Sequence, residues 1–97
     1  MFIIEDQSHA EWHGEYTSVE QAFAELRNLS LVPWDQVPNR CPCTNWKNCN
    51  RDYEVIEYET SSTPWKEVRR FGTLNISSKG IIWLADFVNG FPPSSDL

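Results

Sequence analysis

Residues 31–51 carry no helical or strand periodicity, and they interrupt a chain of only 97 residues. Three prolines and four asparagines in this stretch disfavour regular structure. A connection of about 20 residues is long for a compact domain, and such connections are commonly either disordered or functional. This one also holds Trp34, Trp46 and all three cysteines of the chain. We therefore expect it to pack on the body of the domain.

One helix is predicted immediately before this stretch, from Val19 to Leu29. Apolar side chains recur there at three- and four-residue spacings and form a single stripe. Ser18 is a favoured N-cap residue, and Gln21 falls where it completes a capping box. Pro33 prevents the helix from continuing. The stripe should pack on a sheet, mainly through Phe23 and Leu26.

The remaining periodic segments alternate as β-strands do. They are residues 2–4 and 11–16 before the helix, and 52–60, 65–71, 73–77 and 81–84 after the long connection. Gly72 is interpreted as a bend between two strands. The expected fold is α+β: an antiparallel sheet of about five to six strands with one helix packed on one face, in the order β-β-α-loop-β-β-β-β.

The chain is long enough for one domain, which we assign to residues 1–88, with residues 89–97 as a C-terminal tail. The N-terminus has no basic region, and no apolar run approaches the roughly 20 residues of a membrane span. We therefore expect a cytoplasmic protein without a membrane partner.

Charge indicates a class of partner. Seven of the acidic residues lie in residues 1–36 with one arginine, whereas the rest of the chain is balanced, and the net charge is −6. Nucleic-acid binding depends on Lys and Arg displacing counterions from phosphates, so it is disfavoured here. An acidic N-terminal face could instead meet a basic protein surface, or it could simply keep the protein in solution.

Three cysteines fall within nine residues, at Cys41, Cys43 and Cys49. With His9 or His13, the two histidines of the chain, they would supply the four ligands of a zinc site. Their spacing lacks the common pair separated by two to four residues, so the first expectation is no metal and no cofactor. The same spacing is compatible with a Cys43–Cys49 disulfide, with thiols that only pack the loop, and with a cysteine nucleophile.

The chain has five tryptophans, and their positions suggest two roles. Trp12 and Trp83 fall in strand patterns and are expected in or near the core. The long connection combines aromatic rings with basic side chains, the residue types that dominate binding hot spots. The predicted binding residues are Trp34, Arg40, Trp46, Lys47 and Arg51. The rival interpretation is that the two rings in the connection plug the end of a small core.

Sequence motifs of catalysis are missing, since there is no glycine-rich phosphate loop, no His-Glu-x-x-His and no Gly-x-Ser-x-Gly. The leading hypothesis is therefore a non-enzymatic protein-binding module, an adaptor or an inhibitor. Zinc binding is the second hypothesis, and a cysteine-dependent enzyme is the weakest of the three.

Several phrases of the sequence resemble small bacterial single-domain proteins to which no function is assigned. These phrases are His9-Ala-Glu-Trp12, Val32-Pro-Trp-Asp35, Pro42-Cys-Thr-Asn-Trp46 and Tyr53-Glu-Val-Ile-Glu-Tyr58. The resemblance implies a bacterial, single-domain protein and transfers no activity and no site residue.

Overall fold

The computed structural model describes residues 1–84, which form a five-stranded antiparallel sheet crossed on one face by a single helix. The elements are β1 (Phe2–Asp6), β2 (Glu11–Tyr16), α1 (Val19–Ser30), β3 (Asn50–Glu59), β4 (Lys66–Ser77) and β5 (Gly80–Trp83). The strand order is β2-β1-β3-β4-β5, and every neighbouring pair is antiparallel. The predicted α+β class is confirmed. The predicted tail, 89–97, and the last residues of the predicted domain lie outside the described residues.

The helix begins at its predicted residue and is capped nearly as expected. Ser18 Oγ accepts a hydrogen bond from the backbone N–H of Gln21 at 3.2 Å. The Gln21 side chain accepts in return from the backbone N–H of Thr17 at 3.0 Å, one residue earlier than a standard capping box has it. The first bond satisfies one of the backbone donors that a helix start leaves without an intrahelical partner, and the second fixes the residue before the cap.

The two strands expected on either side of Gly72 are one continuous strand, β4. Its pairing with β3 shifts register here, because Tyr53 faces Leu74 whereas Glu54 faces Gly72. A Cβ at Gly72 would lie 2.5 Å from Cδ1 of Leu84, so a larger residue here would require the Leu84 side chain to shift. Gly72 therefore marks a bulge within a strand. This difference accounts for five strands where the sequence pattern indicated up to six.

The core lies between α1 and the middle of the sheet. Its buried members are Ile4, Ala22, Leu26, Leu29, Tyr53, Val55, Phe71, Leu74 and Ile76. Phe23 is only half-buried, with its ring edge-on to Trp83 at 6.1 Å and the guanidinium of Arg27 over its face. The expectation that Trp12 belongs to the core is wrong, since it is 49 % exposed, whereas Trp83 packs against the core as expected.

Candidate functional site

Residues 31–49, called the connecting loop below, are hydrogen-bonded to the helix and the sheet through the side chain of Asn39. This side chain is 2 % exposed, and its amide N–H groups donate to the carbonyls of Leu29 and Val32, both at 2.8 Å. Its amide oxygen accepts from the hydroxyl of Tyr53 at 3.2 Å. Carbonyls at the end of a helix lack intrahelical partners, and Asn39 supplies a donor to one of them. The same hydrogen bond fixes the position of the connecting loop against the end of α1.

Arg51 holds the loop backbone from beneath. Its Nε and Nη2 donate to the carbonyls of Asn39 and Arg40 at 3.2 and 2.9 Å. Its Nη1 donates to the carboxylates of Asp6 at 2.8 Å and Glu11 at 2.7 Å. Arg51 is 5 % exposed. This corrects the sequence prediction, because a side chain buried and paired in this way fixes the loop and does not face a partner.

Asp6 is the carboxylate on which the surrounding segments converge. It is 1 % exposed, and its Oδ1 accepts from the backbone N–H groups of Ser8 and Asp52 at 3.1 and 3.0 Å. Its Oδ2 lies 2.6 Å from Nδ1 of His9 as well as 2.8 Å from Arg51. A proton on Nδ1 of His9 would donate to this oxygen, leaving Nε2 as the nitrogen with a lone pair for another ligand.

His9, Cys41 and Cys49 meet beside this carboxylate, and Cys43 adjoins them through its contact with Cys49. A ring nitrogen of His9 and the sulfurs of Cys41 and Cys49 all lie within 4.8 Å of one another. The sulfur of Cys43 is 2.8 Å from that of Cys49, and all three cysteines are free thiols. The sequence leaves His9 and His13 open as the fourth member. The geometry favours His9, because its ring lies among the thiols, whereas His13 lies against Glu25 of α1.

The environment of Cys41 and Cys49 favours the protonated form of both thiols. Burial raises the pKa of Cys41. The hydrogen bond with Cys43 raises the pKa of Cys49 to about 11. A cysteine nucleophile requires the opposite, a pKa lowered toward neutral pH so that thiolate is present.

Four of the five residues predicted to bind a partner do cluster on the connecting loop. The rings of Trp34 and Trp46 are 5.5 Å apart and tilted by 39°. The guanidinium of Arg40 lies over the Trp46 ring at 4.2 Å, and the ammonium of Lys47 lies 5.7 Å from it. Trp34 packs against the core, while Trp46 opens a short 3-10 turn, Trp46–Asn48, and is half-buried. We call Trp34, Arg40, Trp46 and Lys47 the cation–aromatic cluster.

A cleft of about 250 Å³ lies beside this cluster. Trp12 of β2 borders it together with Val37, Pro38 and Arg40 of the connecting loop, and the Asp6–Arg51 pair is also in its wall. Trp12 is 49 % exposed and Val37 is 81 % exposed. Sequence reasoning missed both residues. The strand alternation around Trp12 does not tell which face of the sheet is covered, and Val37 has no periodic neighbours.

The acidic excess of residues 1–36 is partly used in ion pairs. Glu11 pairs with Arg51, and Glu25 lies against His13. Glu5 lies 3.5 Å from Arg70 of β4, and Arg70 also pairs with Glu54 of β3 and Glu67 of β4. The acidic face expected from the charge count is therefore smaller than the count indicates.

Comparison with protein-family models, with curated proteins and with solved structures finds no match to this chain. Within residues 1–84, no helix is long and apolar enough to cross a membrane.

Proposed function

We propose that this protein is a small protein-binding module and that the connecting loop is its docking surface. The observation that carries the proposal is the cation–aromatic cluster, held on a loop whose backbone is fixed from inside by Asn39 and Arg51. Tryptophan and arginine are the side chains most enriched at binding hot spots. A loop that is already ordered has less conformational entropy to lose when a partner docks.

The neighbouring cleft indicates the chemistry of the partner. Its rim offers exposed apolar groups at Trp12 and Val37, and Arg40 supplies a positive charge between the cleft and the cluster. A segment with one apolar side chain for the cleft and a carboxylate for Arg40 would match both features. Acidic residues left exposed on the N-terminal part, such as Glu15 and Glu20, give the surface a second sign and favour one docking orientation.

We place the module in the cytoplasm of a bacterium. Three free thiols within nine residues suit a reducing compartment. The bacterial assignment rests on the resemblance of the four sequence phrases between His9 and Tyr58 to small bacterial proteins.

The experiment is a pull-down from the native host with the wild-type protein and with Trp46→Ala, followed by calorimetry on the protein recovered. Trp46→Ala should weaken binding by about tenfold or more, as truncation of a hot-spot tryptophan does. Its melting temperature should stay close to that of the wild type. Trp65→Ala is the matched control, because Trp65 is an exposed tryptophan outside the connecting loop, with its ring against Tyr58.

Two results would contradict this proposal. One is a melting temperature many degrees lower for Trp46→Ala, since the ring would then be part of the core. The other is equal loss of binding in Trp46→Ala and Trp65→Ala, since the connecting loop would then have no special role.

A further inference from the structure

We propose that Cys41, Cys43, Cys49 and His9 bind one zinc ion. This inference does not depend on the protein-binding function, because its ligands are separate from the cation–aromatic cluster. It concerns a metal that would anchor the connecting loop.

The ligand set has the number and chemistry that structural zinc requires. Such sites are four-coordinate and tetrahedral, and three cysteines with one histidine is one of their common compositions. Soft thiolate ligands favour zinc over magnesium and calcium, which take oxygen. With all four positions filled by protein, the site leaves no open coordination position of the kind that catalytic zinc keeps.

Three of the four proposed ligand atoms already lie close enough together to share one zinc ion. Zinc–sulfur bonds of about 2.3 Å in a tetrahedron place neighbouring sulfurs about 3.8 Å apart. The ligand atoms of His9, Cys41 and Cys49 already lie within 4.8 Å of one another. Cys43 and Cys49, at 2.8 Å, share a hydrogen as neutral thiols, and both protons leave when a metal binds. Cys43 lies outside the group that His9, Cys41 and Cys49 form, so its side chain has to move toward Cys41 and His9 while its sulfur moves about 1 Å away from that of Cys49.

The hydrogen bond between His9 and Asp6 is an independent observation that points to a metal. A histidine that binds a metal commonly donates its other ring N–H to a carboxylate, which fixes the tautomer and orients the ring. Nδ1 of His9 lies 2.6 Å from a buried carboxylate oxygen that other donors already hold in place. Nε2 of His9 is then the nitrogen available to the ion.

The fold also explains why the cysteine spacing looks unlike that of common zinc motifs. Cys41 and Cys43 lie in an irregular part of the connecting loop, and the 3-10 turn Trp46–Asn48 brings the chain back to Cys49. His9 comes from the turn between β1 and β2, where Ala10 adopts φ 51°. The ion would join this turn to the loop and close a connection that has few regular hydrogen bonds of its own.

A Cys43–Cys49 disulfide is the competing explanation for the short sulfur–sulfur distance. It would leave Cys41 and His9 without a role, and it would give no reason for the His9–Asp6 hydrogen bond. The two explanations predict different numbers of alkylatable thiols, three after removal of zinc and one with the disulfide present.

The test uses the full chain without a histidine tag, purified without chelator, with zinc measured by elemental analysis. We expect about one zinc per chain in the wild type and in His13→Gln, and a clear loss in His9→Gln and Cys43→Ser. His13→Gln is a matched control, since both histidines face a carboxylate and only His9 lies among the thiols. Titration of the metal-free wild type with Co²⁺ should give thiolate-to-metal absorption that saturates at one equivalent.

The test stays decisive if the cysteine variants fail to fold, because the Co²⁺ titration uses the wild-type chain. Circular dichroism reports whether that metal-free chain is folded. Zinc well below one equivalent together with no thiolate-to-cobalt absorption would overturn the proposal. So would an intact mass lighter by two hydrogens with one alkylatable thiol in protein purified without oxygen. Equal metal binding by His9→Gln and the wild type would overturn the assignment of the fourth ligand.

Discussion

Asp6 and Arg51 form an ion pair at 2.8 Å that is closed from solvent, although the residues are 45 positions apart in the chain. The pair joins the end of β1 to the beginning of β3. Because Arg51 also donates to two carbonyls of the connecting loop, the same pair determines the path of that loop. A buried ion pair is costly to desolvate, so this contact is more important for position than for net stability.

Removal of one member of the pair should be strongly destabilising. Asp6→Asn leaves the Arg51 guanidinium buried without its full counter-charge, and we expect a loss of about 3 to 5 kcal/mol in the free energy of unfolding. Urea denaturation in the presence of chelator measures this loss without a contribution from metal. Glu15→Gln, at an exposed position of β2, should change it by less than about 0.5 kcal/mol. A cost below about 1 kcal/mol for Asp6→Asn would contradict the role given to the pair.

The helix should be anchored mainly by Leu26. This side chain is fully buried, whereas Phe23 is only half-buried at the margin of the core. Leu26→Ala should lower the free energy of unfolding by about 2 to 5 kcal/mol, the range for truncation of a buried leucine. Leu31→Ala removes the same atoms at a residue that is 82 % exposed and should have little effect. Equal melting temperatures for the two variants would argue against packing of the helix on the sheet.

Tyr53 should make stability fall at alkaline pH. Burial raises its pKa from 10.0 to about 12, so the folded state keeps this proton in a range where the unfolded chain loses it. The contribution of Tyr53 to stability is therefore complete below about pH 10. As the pH rises to about 12, the free energy of unfolding should fall by about 2 to 3 kcal/mol. The free energy of unfolding, measured by denaturation at a series of pH values in this range, should fall more steeply for the wild type than for Tyr53→Phe. Tyr58→Phe, at another tyrosine of β3, serves as the control, and parallel curves for wild type and Tyr53→Phe would contradict the prediction.

The parts of the fold that depend on local sequence were predictable. The helix follows from an apolar stripe with a cap at Ser18, and the cation–aromatic cluster was found because its members lie within 14 residues of one another. The continuity of β4 through Gly72 depends on its pairing with β3 across a register shift, which the alternation pattern of one strand does not report.

The site could be predicted only where its residues are close in sequence. Arg51 looks like a surface cation in the sequence because its partner Asp6 is 45 residues away. The choice between His9 and His13 depends on where the β1–β2 turn places His9 and which face of β2 carries His13, and the pattern of one strand does not specify this. Long-range pairing of polar groups is therefore the information that local patterns do not contain.

X-ray absorption at the zinc edge is the sharpest test of the zinc site, because it counts the ligand atoms around the ion. We expect about three sulfurs at about 2.3 Å and one imidazole nitrogen at about 2.0 Å in the zinc-loaded wild-type protein, unchanged in His13→Gln. In the fraction of His9→Gln that still holds zinc, the imidazole scattering should disappear while the sulfur shell remains. A shell made mainly of oxygen and nitrogen in the wild type would mean that zinc binds elsewhere, and it would contradict the assignment of Cys41, Cys43, Cys49 and His9 as ligands.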